Sequence, residues 1–115
     1  MSFDKFVMLK DISLREACIK IQLNDCRAVV IVENGKLFGL ISEGDILRAF
    51  IDGALPSMSI EPYINISPIK ISYDDPERQR TFLKEYFNGI TIIPTVKENG
   101  ELVGILTILG EFDAP

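Results

Sequence analysis

Glu33 to Ser42 reads ENGKLFGLIS, and Glu98 to Thr107 reads ENGELVGILT. The two stretches lie 65 residues apart and share five of ten positions. Three of the remaining positions exchange like for like: Leu40 with Ile105, Ile41 with Leu106, and Ser42 with Thr107. In each copy an apolar, β-branched run (Ala28 to Val32; Ile90 to Val96) meets Asn-Gly and then a second apolar run. Asparagine and glycine tolerate the positive φ angles of a tight two-residue turn, so each copy reads as a β-hairpin. Gly39 and Gly104 interrupt the returning strands at matching places, which marks a bulge or the close approach of another backbone. Two copies are too few for a solenoid, whose units need at least three neighbours to share a core. The duplication therefore predicts a closed pair related by an approximate two-fold axis.

Outward from the hairpins the same order recurs. Ser13-Leu14-Arg15-Glu16 has the spacing of a capping box, and Leu14, Ala17, Cys18 and Ile21 follow at helical intervals up to Asn24. Ahead of the second hairpin, Asp75-Pro76 opens a helix carrying Phe82, Leu83, Tyr86 and Phe87 until Asn88-Gly89 stops it. Short extended segments, Phe6 to Leu9 and Ile66 to Ile71, precede the two helices, Pro68 placing the latter at a sheet edge. After the first hairpin Ser42 begins a helix with Ile46, Leu47, Phe50 and Ile51 on one side, closed by Gly53, and Pro56 to Pro62 is a linker. Each unit thus reads β-α-β-β-α in an α/β (α+β) fold, with residues 1–55 as the first repeat and 56–115 as the second, together one compact domain. The second is cut short, since only Ile108 to Pro115 remains after its last strand.

The chain has 115 residues, 47% of them apolar and 25% charged, enough for one compact core. No apolar run reaches the roughly 20 residues that span a bilayer, and Met1 to Lys10 lacks the apolar stretch of a signal peptide, so a cytoplasmic location is expected. Cys18 and Cys26 read as reduced thiols, Cys18 as a small hydrophobe on the apolar side of its helix. The sequence has no histidine, which removes imidazole bases, Ser/His triads and His-liganded zinc. A net charge of -5 disfavours polyanions such as DNA or RNA but leaves room for one small nucleotide held by local donors.

A duplicated β-α-β-β-α unit whose hairpin ends in Gly-hydrophobic-hydrophobic-Ser/Thr-x-x-Asp resembles the CBS family, whose tandem pairs form Bateman modules. The residues that carry the likeness are Gly39-Leu40-Ile41-Ser42-Glu43-Gly44-Asp45-Ile46 and Gly104-Ile105-Leu106-Thr107. The second copy departs from the pattern, because Gly110 stands where the acid is expected. Ser42 to Gly53 (SEGDILRAFIDG) is also similar to the CBS pairs at the N-terminus of sugar-phosphate nucleotidyltransferases, and the stop at Pro115 fits a catalytic domain beyond it.

The resemblance implies a regulatory module, not an enzyme, with an adenosine-type ligand (AMP, ADP, ATP or S-adenosylmethionine) in a cleft between the repeats. It implies that Asp45 takes the ribose hydroxyls, that Ser42 sits near ribose or phosphate, and that Gly39 and Gly44 let the backbone come close. Arg27 is the foremost phosphate partner, with Lys10 and Arg48 as further candidates. Met8 and Leu9 would flank an adenine across from Ala28 and Val29. Ser42-x-x-Asp45 is equally the spacing of a capping box, in which both side chains serve the helix alone. Arg27, Lys10 and Arg48 serve equally as solvated charges, Met8 and Leu9 as core, and Asp74-Asp75 as a helix-start cap instead of a metal pair.

The competing reading is a structural module that dimerises a partner enzyme through helical faces bearing Ile46, Leu47, Phe50, Ile51, Phe82 and Phe87, and binds nothing. A free-standing enzyme fits least, since no nucleophile stands beside a base and no metal-ligand cluster is spaced along the chain.

Overall fold

The computed structural model describes residues 2–114. β1 (Val7–Leu9) follows a 3₁₀ turn at Asp4–Phe6, and α1 (Leu14–Asn24) crosses over to β2 (Ala28–Glu33), which runs parallel to β1. β3 (Lys36–Ser42) returns antiparallel to β2 and leads into α2 (Glu43–Ile51). The second half repeats this with β4 (Ile71–Ser72), α3 (Arg78–Tyr86), β5 (Ile92–Val96) and β6 (Leu102–Thr107). It then ends in a strand, β7 (Gly110–Asp113), antiparallel to β6. The sheets are ordered β1-β2-β3 and β4-β5-β6-β7. This is the expected mixed α/β architecture, with a strand where the first half has its second helix.

Strand periodicity explains the layering. Successive side chains of β2 point to opposite faces, and both faces are buried: Val29 and Ile31 join Leu14, Ala17, Ile21, Ile41 and Ile46 under the helices, while Ala28 and Val30 turn inward. There they meet Ile92, Val96, Leu102 and Ile105 of the other sheet, forming a central core shared by the halves. The helical side of the second sheet holds a far smaller cluster, Ile71, Phe82, Ile93 and Leu106.

The two-fold relation is written into the backbone at the hairpin tips. Leu37 N donates to Gly100 O at 3.0 Å, and its counterpart Leu102 N donates to Gly35 O at 3.0 Å. Both hairpins also skip one residue at the same place, between Ile31 and Val32 and between Thr95 and Val96.

The turns themselves differ. Asn34 and Gly35 both have positive φ, 54° and 75°, the paired left-handed turn expected from Asn-Gly. In the second hairpin Lys97 N donates to Glu101 O, Gly100 N donates to Lys97 O, and only Gly100 has positive φ, 91°. One added residue makes this a three-residue turn closed by a glycine bulge, with Asn99 Oδ1 accepting from Glu101 N at 2.9 Å instead of lending its backbone.

Helix ends show what capping does. Ser13 Oγ accepts from Glu16 N at 3.1 Å, but Glu16 turns its carboxylate to the Ser13 hydroxyl, so the expected box is half made. Asp25, at φ 59°, ends α1, and buried Asn24 holds the next turn by donating to Ala28 O (2.9 Å) and accepting from Cys26 N (2.8 Å). α3 begins later than Asp75-Pro76 predicts: Asp75 Oδ1 accepts from Glu77 N in a local turn, and the helix starts at Arg78 without a side-chain cap. The extended segment expected over Ile66 to Ile71 pairs as a strand only at Ile71–Ser72.

Candidate functional site

The carboxyl end of β3 and the start of α2 border a cleft of about 420 Å³, within the range of small-molecule sites. Three other segments complete it: Arg27-Ala28 entering β2, the linker Asn65 to Ile69, and Gly89 to Ile92 entering β5. Its apolar wall is Ala28, Leu40, Ile69, Ile90 and Ile92, and its polar rim is Arg27, Ser42, Glu43, Asn65, Ser67 and Thr91. Both halves of the chain contribute, so the cleft exists only when they are packed together.

Gly39 is what lets the linker reach this place. A Cβ there would lie 2.5 Å from both Asn65 O and Ile64 Cγ2, closer than real contacts allow. With no side chain in the way, Leu40 N donates to Asn65 O and Asn65 N to Leu40 O, both at 2.9 Å. Gly39 thus shapes the cleft from behind by holding its wall, and does not line it.

At the helix start the capping box is complete. Ser42 Oγ accepts from Asp45 N at 3.2 Å, and Asp45 Oδ2 accepts from Ser42 N and Ser42 Oγ, both at 2.9 Å. Asp45 Oδ1 takes Arg48, so three of the carboxylate's roughly four acceptor positions are used within the helix. Glu43 N donates to Arg27 O at 2.9 Å, which ties the helix start to Arg27, held at φ 64°. The amide of Gly44, in the first turn, has no partner within its own helix and belongs to a residue that lines the cleft.

Of the residues singled out from the sequence, the fold gathers Arg27, Ala28, Ser42 and Gly44 at the cleft. Asp45 and Arg48 stand one step behind, the Arg48 guanidinium 3.5 Å from where a Gly44 Cβ would be. Met8, Leu9 and Lys10 lie at the far end of the sheet: Met8 pairs with Ile31 and Leu9 with Val32, whereas the cleft opens beside Ala28. Met8 packs against the first core, Leu9 is largely exposed, and Val29 is fully buried beneath the helices. The Lys10 ammonium sits 2.6 Å from a Glu33 carboxylate oxygen, which raises its pKa, and lies over the Phe38 ring. The linker Asn65 to Ile69 and Gly89 to Thr91 were not anticipated. The 65-residue repeat carries Arg27-Ala28 to Ile92-Ile93, and the extra residue in the second turn moves the true counterparts back by one to Thr91-Ile92, so the repeat held this signal to within one residue.

A larger groove of about 610 Å³ adjoins the cleft through Arg27 and Glu43 and runs between α1 and α2, lined by Cys18, Ile21, Ile46, Leu47 and Phe50 among others. Gln22, Asp25, Arg27 and Glu43 line its polar side, and its apolar side runs out to the exposed Leu47 and Phe50, an open surface between two helices that suits packing. Two expected face residues are core instead: Ile46 and Phe82 are buried against their sheets. The Cys18 thiol pKa is raised by burial.

A duplicated hairpin-helix unit with a nucleotide-sized cleft between its copies defines a class of regulatory modules, and the comparisons bear this out. Residues 1–52 match the family model of the CBS domain. The whole arrangement has the fold of CBS-domain pairs, the Bateman module. It is similar to the CBS domain protein PAE2072 from Pyrobaculum aerophilum, solved in complex with AMP: 27% identity, TM-score 0.72, covering 90% of this chain and 79% of that one. It is also similar to the CBS domain pair of MJ0100, solved with 5′-methylthioadenosine and S-adenosyl-L-methionine: 26% identity, TM-score 0.70, covering 89% and 83%. An acetoin utilization protein (AcuB) from Vibrio cholerae shares the fold at 24% identity and TM-score 0.76, covering 93% and 79%. No curated protein matches the sequence. The fold is thus one of regulatory modules and not of catalysts, and no helix among the described residues is long and apolar enough to cross a membrane.

Proposed function

We propose that the chain is a ligand-sensing regulatory module that binds an adenosine-type nucleotide in the cleft between its repeats, 1–55 and 56–115, and controls a linked catalytic domain. The observation that carries this reading is the cleft itself: an apolar slot of Ala28, Leu40, Ile69, Ile90 and Ile92 for a base, with Ser42, the Gly44 amide and Arg27 at one end for ribose and phosphate. Two relatives of the same fold above 25% identity carry adenosine compounds in their solved complexes. In this reading Asp45, which stands behind the lining residues Ser42 and Gly44, takes a ribose diol by exchanging its bond to the Ser42 hydroxyl for the ligand's. Coupling follows from differential affinity: a ligand touching both halves favours the packing in which they are closed on it. The similarity of SEGDILRAFIDG to CBS pairs of sugar-phosphate nucleotidyltransferases makes such an enzyme the linked domain we favour.

A homodimer through helical faces is compatible with this reading and is the sole role in the alternative one. Leu47 and Ile51 on α2 and Phe87 at the end of α3 are 61%, 80% and 84% exposed, apolar side chains that a partner's face would cover.

A thermal-shift panel with AMP, ADP, ATP, S-adenosylmethionine, NAD and sugar nucleotides tests the proposal. An adenosine ligand at 100 times its Kd is expected to add about 2.7 kcal/mol of stability. Ser67→Trp, which places an indole at the cleft mouth from an exposed linker position, is expected to abolish the shift, and Asp45→Asn to weaken binding about tenfold, which cuts the shift to about half. No shift with any compound leaves the dimerisation module as the function.

A further inference from the structure

The two-fold that relates the hairpins also generates a second cleft, and the chain fills it. Ala28, Leu40, Ile69, Ile90 and Ile92 form the apolar wall of the open cleft. Their counterparts across the pseudo-axis are Ile92, Ile105, Phe6, Cys26 and Ala28, and all five are buried in one cluster with Phe3 and Phe112. The Phe6 and Phe112 rings pack at a 55° tilt with centroids 4.7 Å apart, and the Lys5 ammonium lies over both. Backbone bonds lock the filling in place: Phe3 N donates to Asp113 O at 2.9 Å, and Ser2 bridges to Asp113 in parallel.

The way in is closed for a second reason. In the first half Leu40 is paired by the linker at Asn65, after the chain has passed through α2; in the second half the equivalent Ile105 is paired by Phe112 of β7, directly after a two-residue turn. No helix start faces this position. Thr107, the counterpart of Ser42, spends its hydroxyl oxygen on Leu109 N (3.0 Å) within the turn.

We infer that the N-terminal 3₁₀ segment and β7, the counterparts of the linker walls of the open cleft, close the second cleft with their aromatic side chains, so that each chain offers one nucleotide site and not two. The count of ligands rests on the proposed function; the occlusion does not, and Cys26 reports on it. This thiol lies on the wall of the filled cleft at 3% exposure, and burial raises its pKa.

In a Cys18→Ser background, labelling of the full chain with a small aromatic disulfide reagent is expected to modify Cys26 at least about a hundredfold more slowly under native conditions than in denaturant, because access requires the termini to open. Phe112→Ala is expected to raise the native rate at least about tenfold; should it prevent folding, Phe3→Ala, at the edge of the cluster, carries the same expectation with a smaller rise. Calorimetric titration of the unmodified chain with AMP is expected to give one site per chain. A Cys26 as reactive as an exposed thiol, a native rate unmoved by both variants in folded protein, or two AMP sites per chain overturns the inference. Absence of AMP binding with Cys26 protected removes the proposed function and leaves the occlusion standing.

Discussion

Ser42-Glu43-Gly44-Asp45 and Thr107-Ile108-Leu109-Gly110 occupy the same place in their repeats and send the chain in opposite directions. The first has an acid three residues after the hydroxyl, and the reciprocal box that results starts a helix. The second has glycine there, at φ 134°, a conformation that other residues rarely adopt, and the chain folds back as a strand. One residue type therefore decides two things at once. It removes the carboxylate that a ribose would use, and it replaces the helix start that borders a cleft with a strand that carries Phe112 into it. The cores follow suit, since the helical side of the first sheet has α2 to cover it and the second sheet has only α3.

The largest test of this contrast is at the paired glycines. Gly39→Ala drives a Cβ into backbone at Asn65 and the Ile64 side chain, whereas Gly104→Ala meets the Thr95 hydroxyl at 2.5 Å and backbone only at 3.2 Å, at Phe112 O, so a side chain bears most of the shift. Chemical denaturation is expected to show a loss of about 3 kcal/mol for Gly39→Ala and about 1 kcal/mol for Gly104→Ala. Equal losses would mean that the two crossings are built alike.

Capping comes next. Ser42→Ala breaks a complete box, taking the hydroxyl donor from the Asp45 carboxylate and the acceptor from the Asp45 amide, for a cost of about 1–2 kcal/mol, while Ser13→Ala breaks half a box and is expected to cost about 0.5–1 kcal/mol. Thermal melts of the two variants side by side measure the difference, and a costlier Ser13→Ala would reverse it.

The smallest effect separates the halves by pH. Arg78 Nε lies 2.6 Å from Glu111 Oε1 and ties β7 to α3, and the guanidinium holds the Glu111 carboxyl below the usual glutamate range. A carboxyl lowered by folding stabilises above its unfolded pKa and loses that contribution as pH falls through the folded one. Because the pair is partly solvent-exposed, screening keeps its worth small. Denaturation of Glu111→Gln is expected to show that deficit at neutral pH and to converge on the parent chain in acid; a deficit constant with pH would assign the loss to packing.

Much of this was legible beforehand, and the parts that were not share a cause. The duplicated hairpins, α1 from Ser13 to Asn24 and the helix after Ser42 are local patterns, in which cap, periodicity and stop agree. The second turn escaped because an extra residue between Val96 and Glu101 changes the turn type while leaving Asn-Gly intact. β7 escaped because a missing helix does not say what replaces it. The family resemblance set Met8 and Leu9 beside an adenine and Lys10 near a phosphate, but the parallel register sets Met8 and Leu9 against Ile31 and Val32, at the opposite end of the strand from Arg27, and Lys10 pairs with Glu33. Asn65 to Ile69 belong to the cleft through a crossing that depends on three-dimensional closure, which no window of sequence contains.

Amide chemical shifts recorded during titration of the isotopically labelled chain with AMP test the whole account at once. Perturbations are expected to concentrate at Arg27-Ala28, Ser42 to Gly44, Asn65 to Ile69 and Gly89 to Ile92, with Phe3, Phe6 and Gly110 to Asp113 unmoved. Shifts centred on the latter group, or no shifts at saturating nucleotide, would contradict it.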